Sequence, residues 1–368
     1  MSLPDLFASV ASERPARVSS YRSVALVASD RPARVSPLRY VALAASLSSA
    51  CLLAACGPSP SAPPAESPAD SPASAPASAF NQGPAPSGGL AGVEAALRAG
   101  EPARALEGAK RALASNPRDP NALFYAGVAL EALDDAAGAE AHYRRALEAD
   151  PSLREAGANL SALLLGQGRA ADARAVVDPL AARFPDDADL QTNRAEALSA
   201  LGDHAGAARI YEALLRRADD ARHRLGLAKA LGAAGDKAGA TRVLREGLRG
   251  AGSDRDKLAA FGRALGQLGA YPDAIEALDR AIAITPGADL LTYRAIFRRS
   301  AGDRKAAKAD LEAALKLDPA FAPAHLYLGE VLEALGDAAA ARRSYEHAVQ
   351  AGGPFGERAR RHLDALTR

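Results

Sequence analysis

The chain has 368 residues, with 45 Lys and Arg against 44 Asp and Glu, and a formal net charge of +1. So even a balance excludes the basic footprint by which proteins hold nucleic acid. Two cysteines, one methionine and no tryptophan leave no material for a disulfide framework or a thiolate metal cage.

Residues 13–29 and 30–46 form a tandem duplication: Arg14-Pro15-Ala16-Arg17-Val18-Ser19 returns as Arg31-Pro32-Ala33-Arg34-Val35-Ser36, and Val24-Ala25-Leu26 as Val41-Ala42-Leu43. Either translation starts downstream of Met1 or the duplication is recent and harmless, and no function attaches to it. Residues 40–55 follow Arg31, Arg34 and Arg39, carry no charge, and end in Leu53-Ala54-Ala55-Cys56-Gly57. A basic segment, a short apolar run and small residues before a cleavage point define a secretory signal. The run is short against the ~20 residues that span a bilayer. A plain signal peptide and an uncleaved anchor remain the other readings of these residues.

Leu-Ala-Ala-Cys resembles the lipobox of bacterial lipoproteins. The resemblance implies a signal peptide over residues 1–55 and lipidation of Cys56, which becomes the first residue of a chain anchored to a membrane of the cell envelope. Gly57, where some inner-membrane lipoproteins carry aspartate, favours the periplasmic side of the outer membrane. Removing residues 1–55 takes away six arginines and three acids, leaving 39 basic against 41 acidic residues, near −2. Cys51 and Cys56 are the two cysteines, so the rest of the chain has no thiol chemistry. Residues 57–86 hold nine prolines among alanine and serine, with only Glu66 and Asp70 charged. Such a segment has too little apolar surface for a core and reads, with Cys56, as a semi-rigid tether over 56–86.

From residue 87 one pattern recurs. A short Gly-Asp-like step begins at Gly100, Asp134, Gly168, Gly202, Gly235, Gly269, Gly302 and Gly336. Each step follows the last by roughly 34 residues, a fixed period that marks a repeat array. Five residues after each comes alanine: Ala105, Ala139, Ala173, Ala207, Ala240, Ala274, Ala307 and Ala341. A glycine at that step suits the left-handed residue that ends a helix. An alanine in all eight copies marks a close approach of two helices. Larger knobs follow at Tyr143, Tyr211 and Tyr345, or Leu244, Leu278 and Leu311. Five copies close on Pro117, Pro151, Pro185, Pro286 and Pro319, while Asp219 and Gly252 stand in two others, so the register is least fixed over 216–257. Ahead of each step the chain is also helical, as in Leu123, Ala126, Gly127, Leu130 and Leu133.

Segments such as Gly127-(x)2-Leu130 and Ala139-(x)3-Tyr143-(x)2-Ala146-Leu147-(x)3-Pro151 resemble the tetratricopeptide repeat, a helix-turn-helix of about 34 residues. The resemblance implies an all-α, right-handed superhelical solenoid of about eight repeats over 87–353, closed by a capping helix over 354–368. Arg358, Arg360 and Arg361 are expected on the polar side of that helix. In this family the first helices line a concave groove. Carried onto this sequence, its groove positions are Asn121, Tyr125, Asn159, Asn193, Arg222, Lys229, Arg263, Tyr293, Arg299 and Tyr327. Asn159 and Asn193, one repeat apart, are similar to the asparagine ladder of O-linked N-acetylglucosamine transferases, although a helix-surface asparagine is the plain alternative. Glu94, Glu131, Glu155 and Asp189 would make the early groove acidic, and Arg222, Lys229, Arg263 and Arg299 the later groove basic.

No Walker loop, HExxH, paired CxxC or Gly-x-Ser-x-Gly elbow occurs, and the six histidines show no ligand spacing. The expectation is a non-enzymatic protein-binding scaffold without cofactor, metal, nucleic acid or small-molecule substrate. Its partner is a protein or peptide, acidic where it meets the basic stretch. The alternative is an assembly factor for an outer-membrane machine, similar to the tetratricopeptide pilotins of type IV pili and secretion systems.

Overall fold

The computed structural model describes residues 90–366. The signal peptide, Cys56 and tether read from the sequence lie outside the described residues. Those described form seventeen α-helices and no strand. In chain order they form eight helix-turn-helix pairs: α1 (Leu90–Arg98) and α2 (Pro102–Ser115), α3 (Pro120–Ala132) and α4 (Ala136–Ala149), α5 (Arg154–Gly166) and α6 (Ala170–Arg183), and α7 (Ala188–Ala200) and α8 (His204–Arg217). They continue through α9 (Ala221–Ala233) and α10 (Lys237–Gly250), α11 (Arg255–Gln267) and α12 (Tyr271–Ile284), α13 (Ala288–Ser300) and α14 (Arg304–Leu317), and α15 (Ala322–Ala334) and α16 (Ala338–Ala351). A last helix, α17 (Gly353–Leu366), follows. The chain divides into two compact units between Asn159 and Leu160, inside α5.

The turn within each pair explains the period. All eight marker residues have positive φ, from 63° at Asp134 to 94° at Gly302. Asp134 therefore sits where glycine sits in the other seven, at some steric cost. At Gly202 the chain folds back so that the Asp203 amide donates to Leu198 O at 2.9 Å and the Gly202 amide to Ser199 O at 3.1 Å, closing the last turn of α7. Asp203 then caps α8 by accepting from the Gly206 amide at 2.8 Å. Asp135, Asp236, Asp303 and Asp337 do the same for α4, α10, α14 and α16. One dipeptide thus ends one helix and starts the next.

The alanine column is the seam. Ala105, Ala139, Ala173, Ala207, Ala240, Ala274, Ala307 and Ala341 are all 0 % exposed. The tyrosine knobs need glycine opposite them. A Cβ on Gly127 would stand 2.5 Å from the Tyr143 ring, and Gly329 meets Tyr345 in the same way. Tyr211 lies instead against Gly226 of the following pair, since Ala195 occupies the place that Gly127 and Gly329 hold in their own repeats. The segment 216–257, where the closing proline is missing, keeps the register: Asp220 caps α9 and Asp254 caps α11.

In the second unit the first helices of consecutive pairs touch, α7 with α9, α9 with α11, α11 with α13 and α13 with α15. α17 packs on α15 and α16, burying Phe355 and Ala359 completely. One expectation for this helix needs correction. Arg358 turns inward, its side chain 13 % exposed, to pair with Glu330 at 2.6 Å; the carboxylate on α15 draws it out of the polar face.

Candidate protein-binding surface

In the first unit the expected groove residues differ in what they offer. Asn121 is exposed in the first turn of α3, where its amide donates to the Asp119 cap at 2.9 Å. Tyr125 is half-buried, with its ring 5.2 Å from that of Phe124. Burial, with Glu94 adding to it, raises its hydroxyl above the usual tyrosine range. Asn159 does not stand on the surface: it is 3 % exposed, and its amide donates to Tyr143 Oη at 3.3 Å. Tyr143 in turn donates to Glu131 Oε2 at 2.8 Å, so Glu131 serves the packing as well as any acidic groove. Burial holds the Glu131 carboxyl above its ordinary range, against the pull of the Tyr143 hydrogen bond. The two-rung ladder is corrected accordingly, because the tyrosine knob draws its first rung into the core.

In the second unit Asn193 is half-buried and donates to Ser161 Oγ at 3.0 Å. Arg222 is exposed but closes a 3.0 Å ion pair with Asp220, the cap of its own helix. Tyr293 is 9 % and Tyr327 1 % exposed, so both are packed rings. The guanidinium of Arg263 lies 5.4 Å from the Tyr293 ring centre, and that of Arg299 lies 5.6 Å from Tyr327. Arg299 is also paired with Glu330. Its charge is thereby met within the fold.

Two cations remain. Lys229 on α9 and Arg263 on α11 occupy equivalent places in adjacent repeats, and neither has an ion pair among the described residues. On α7, the preceding first helix, lie two acids in unusual environments. Burial raises the Asp189 carboxyl, with Asp187 adding to the effect. Burial also raises Glu196, opposed by Lys229 and then Arg222. The first helices therefore pass from acidic on α7 to basic on α9 and α11. Sequence reasoning missed the Glu131–Tyr143 bond and its twin, Tyr345 Oη to Glu333 Oε2 at 2.8 Å. Its signal was present: glutamate three residues before the turn with tyrosine nine after, in both repeats. Among the described residues no group of three His, Cys, Asp or Glu is placed to hold a metal ion, and no helix is long and apolar enough to cross a membrane.

Residues 90–153 and 298–357 match one tetratricopeptide-repeat model and residues 132–197 another. Residues 90–197 and 298–357 thus carry tetratricopeptide repeats. Solved structures agree on the fold. A tetratricopeptide repeat protein from Parabacteroides merdae is similar at TM-score 0.50 and 17 % identity, over 68 % of this chain and 99 % of that one. Yeast Tom70 is similar at TM-score 0.52 and 16 % identity, over 73 % of this chain and 59 % of that one. No curated protein matches the sequence. Tetratricopeptide folds typically serve as non-enzymatic platforms for protein partners.

Proposed function

We propose that the protein is a lipid-anchored scaffold of the bacterial cell envelope that holds an acidic segment of a protein partner along α9 and α11. The observation that carries this reading is the pair Lys229 and Arg263, set one repeat apart on adjacent first helices with no ion pair among the described residues. Arg263 is held over Tyr293, which limits the freedom it loses on binding. The acids Asp189 and Glu196 on α7 repel the same segment, so binding has a direction along the layer.

The test is titration of the protein with a labelled acidic peptide at rising salt. An exposed pair contributes ~0.2–1 kcal/mol, and reversal replaces attraction with repulsion. Lys229→Glu with Arg263→Glu is therefore expected to weaken binding by ~1–2 kcal/mol, roughly 5–30-fold. Affinity for the unaltered protein should fall with salt as charges beyond ~8–10 Å are screened. The control Arg342→Glu with Arg343→Glu lies on α16, a second helix; an equal or larger loss there would move the site off the first helices. The envelope part rests on Cys56. Cys56→Ala should shift the protein from the membrane fraction to soluble or precursor forms, and unchanged fractionation would remove the anchor from the proposal.

A further inference from the structure

At the end of the second unit, Glu330 of α15 holds two guanidiniums at once. Arg299 from α13 takes Oε2, and Arg358 from α17 takes Oε1 at 2.6 Å. Both guanidiniums also lie over the ring of Tyr327, each 5.6 Å from its centre. Nearby on α15, Glu333 accepts from Tyr345 Oη. His362 of α17 stacks on Tyr345 and stands 3.6 Å from Glu330 and 3.7 Å from Glu333. Without α17, the facing surface keeps two carboxylates, Glu330 and Glu333, and one guanidinium, Arg299, for a net charge of −1 beside an aromatic face. A carboxylate that accepts a guanidinium beside a ring that stacks it is the chemistry of arginine recognition.

The helix that fills this surface fits it incompletely. Tyr327 is 1 % exposed, and its hydroxyl and Arg358 Nη1, buried beside each other, do not reach full hydrogen-bond geometry. Buried polar atoms left poorly paired weaken the state that contains them. Phe355 and Ala359 are fully buried, but Leu363 and Leu366 are only partly so. α17 joins α16 through Gly352 and Gly353, both at positive φ, 77° and 66°, a pair of residues with wide backbone freedom.

We propose that Tyr327, Glu330 and Glu333 form an arginine-recognition surface that Arg358 occupies in cis. α17 swings away on the Gly352–Gly353 joint to admit an arginine-bearing helix of a partner protein. The surface is separate from Lys229 and Arg263, so this proposal and the acidic-segment reading stand or fall on different variants.

The test uses the full chain, the full chain with Arg358→Ala, and a fluorescent peptide of residues 353–366. The peptide should bind the Arg358→Ala chain at least tenfold more tightly than the unaltered chain, because the competitor in cis is weakened. The same peptide carrying Arg358→Ala should not bind, and Glu330→Gln added to the variant chain should abolish binding. Equal binding of the two peptides, or no difference between the two chains, would overturn the proposal. Hydrogen exchange of the unaltered chain guards against a folding artefact: amides of 353–366 should exchange at least tenfold faster than those of α15 and α16. Equal protection would overturn the hinge. A dimer forming with rising concentration through exchange of α17 would overturn the assignment to a foreign partner.

Discussion

Gly127→Ala tests the packing rule of the array more sharply than any loss of a large side chain. The new methyl would stand 2.5 Å from Cε1 and 2.6 Å from Cδ1 of Tyr143. Carbons rest at ~3.5–4.0 Å, so the ring must retreat by about 1 Å. It has nowhere to go: Tyr143 is 0 % exposed, donates to Glu131 and accepts from Asn159. Overpacking of this kind costs ~1–3 kcal/mol, and loss of a hydrogen bond to a charged group adds ~1.5–3 kcal/mol. Alanine's better helix propensity returns ~0.5–1 kcal/mol. The net expectation is a loss of about 2–5 kcal/mol from the first unit. The control is Gly92→Ala in α1, where an added Cβ meets nothing within 4 Å and propensity alone should stabilise by ~0.5–1 kcal/mol.

Because repeat arrays melt as neighbour-coupled units rather than in one step, the assay is hydrogen exchange across α3 and α4, with α15 and α16 as internal reference. A loss of about 2 kcal/mol speeds exchange there by roughly 30-fold. With no tryptophan in the chain, circular dichroism in urea supplies the overall midpoint. Protection of α3 and α4 at or above the unaltered level, or the same direction of change for Gly92→Ala and Gly127→Ala, would refute the reasoning.

Two further predictions concern the same unit. Asp134→Gly relieves the one non-glycine residue at positive φ among the described residues and should stabilise α3–α4 by ~0.5–1 kcal/mol; a lower midpoint would mean that Asp134 contributes more through its side chain than its backbone costs. Glu131→Gln should change the pH profile. Burial raises the Glu131 carboxyl above the ordinary glutamate range, so its contribution to stability is complete below that range and is lost as pH rises through the folded-state value. The unaltered protein should therefore lose stability relative to the glutamine variant as pH rises above the ordinary carboxylate range, and a constant difference would show that Glu131 titrates as it does in the unfolded chain.

How much of this was legible beforehand differs by element. The turn at Gly202-Asp203 could be read from two letters, because the left-handed conformation and the cap each depend on residues no more than five apart. Ala207 could be placed in the seam for the same reason. Tyr211 could be called a knob, but its socket could not be named: it depends on Ala195 blocking one site while Gly226 opens another in the next pair. Asn159 illustrates the consequence at the candidate surface. Its position in the repeat marks it as a groove residue, and the hydroxyl of Tyr143, sixteen residues away, turns it inward.

The sequence alone therefore determined the solenoid. A near-constant period, a left-handed residue, a cap and a small contact residue are nearest-neighbour properties, repeated from pair to pair. Tertiary structure decided which charges are left for a partner. Arg222 and Arg299 are spent on Asp220 and Glu330, while Lys229 and Arg263 have no ion pair among the described residues. Arg358 leaves the polar face of α17 because α13 and α15 bring Arg299, Tyr327 and Glu330 to meet it. Ion pairing follows distance in space, and residues a whole repeat apart in sequence acquire that distance only when neighbouring repeats pack.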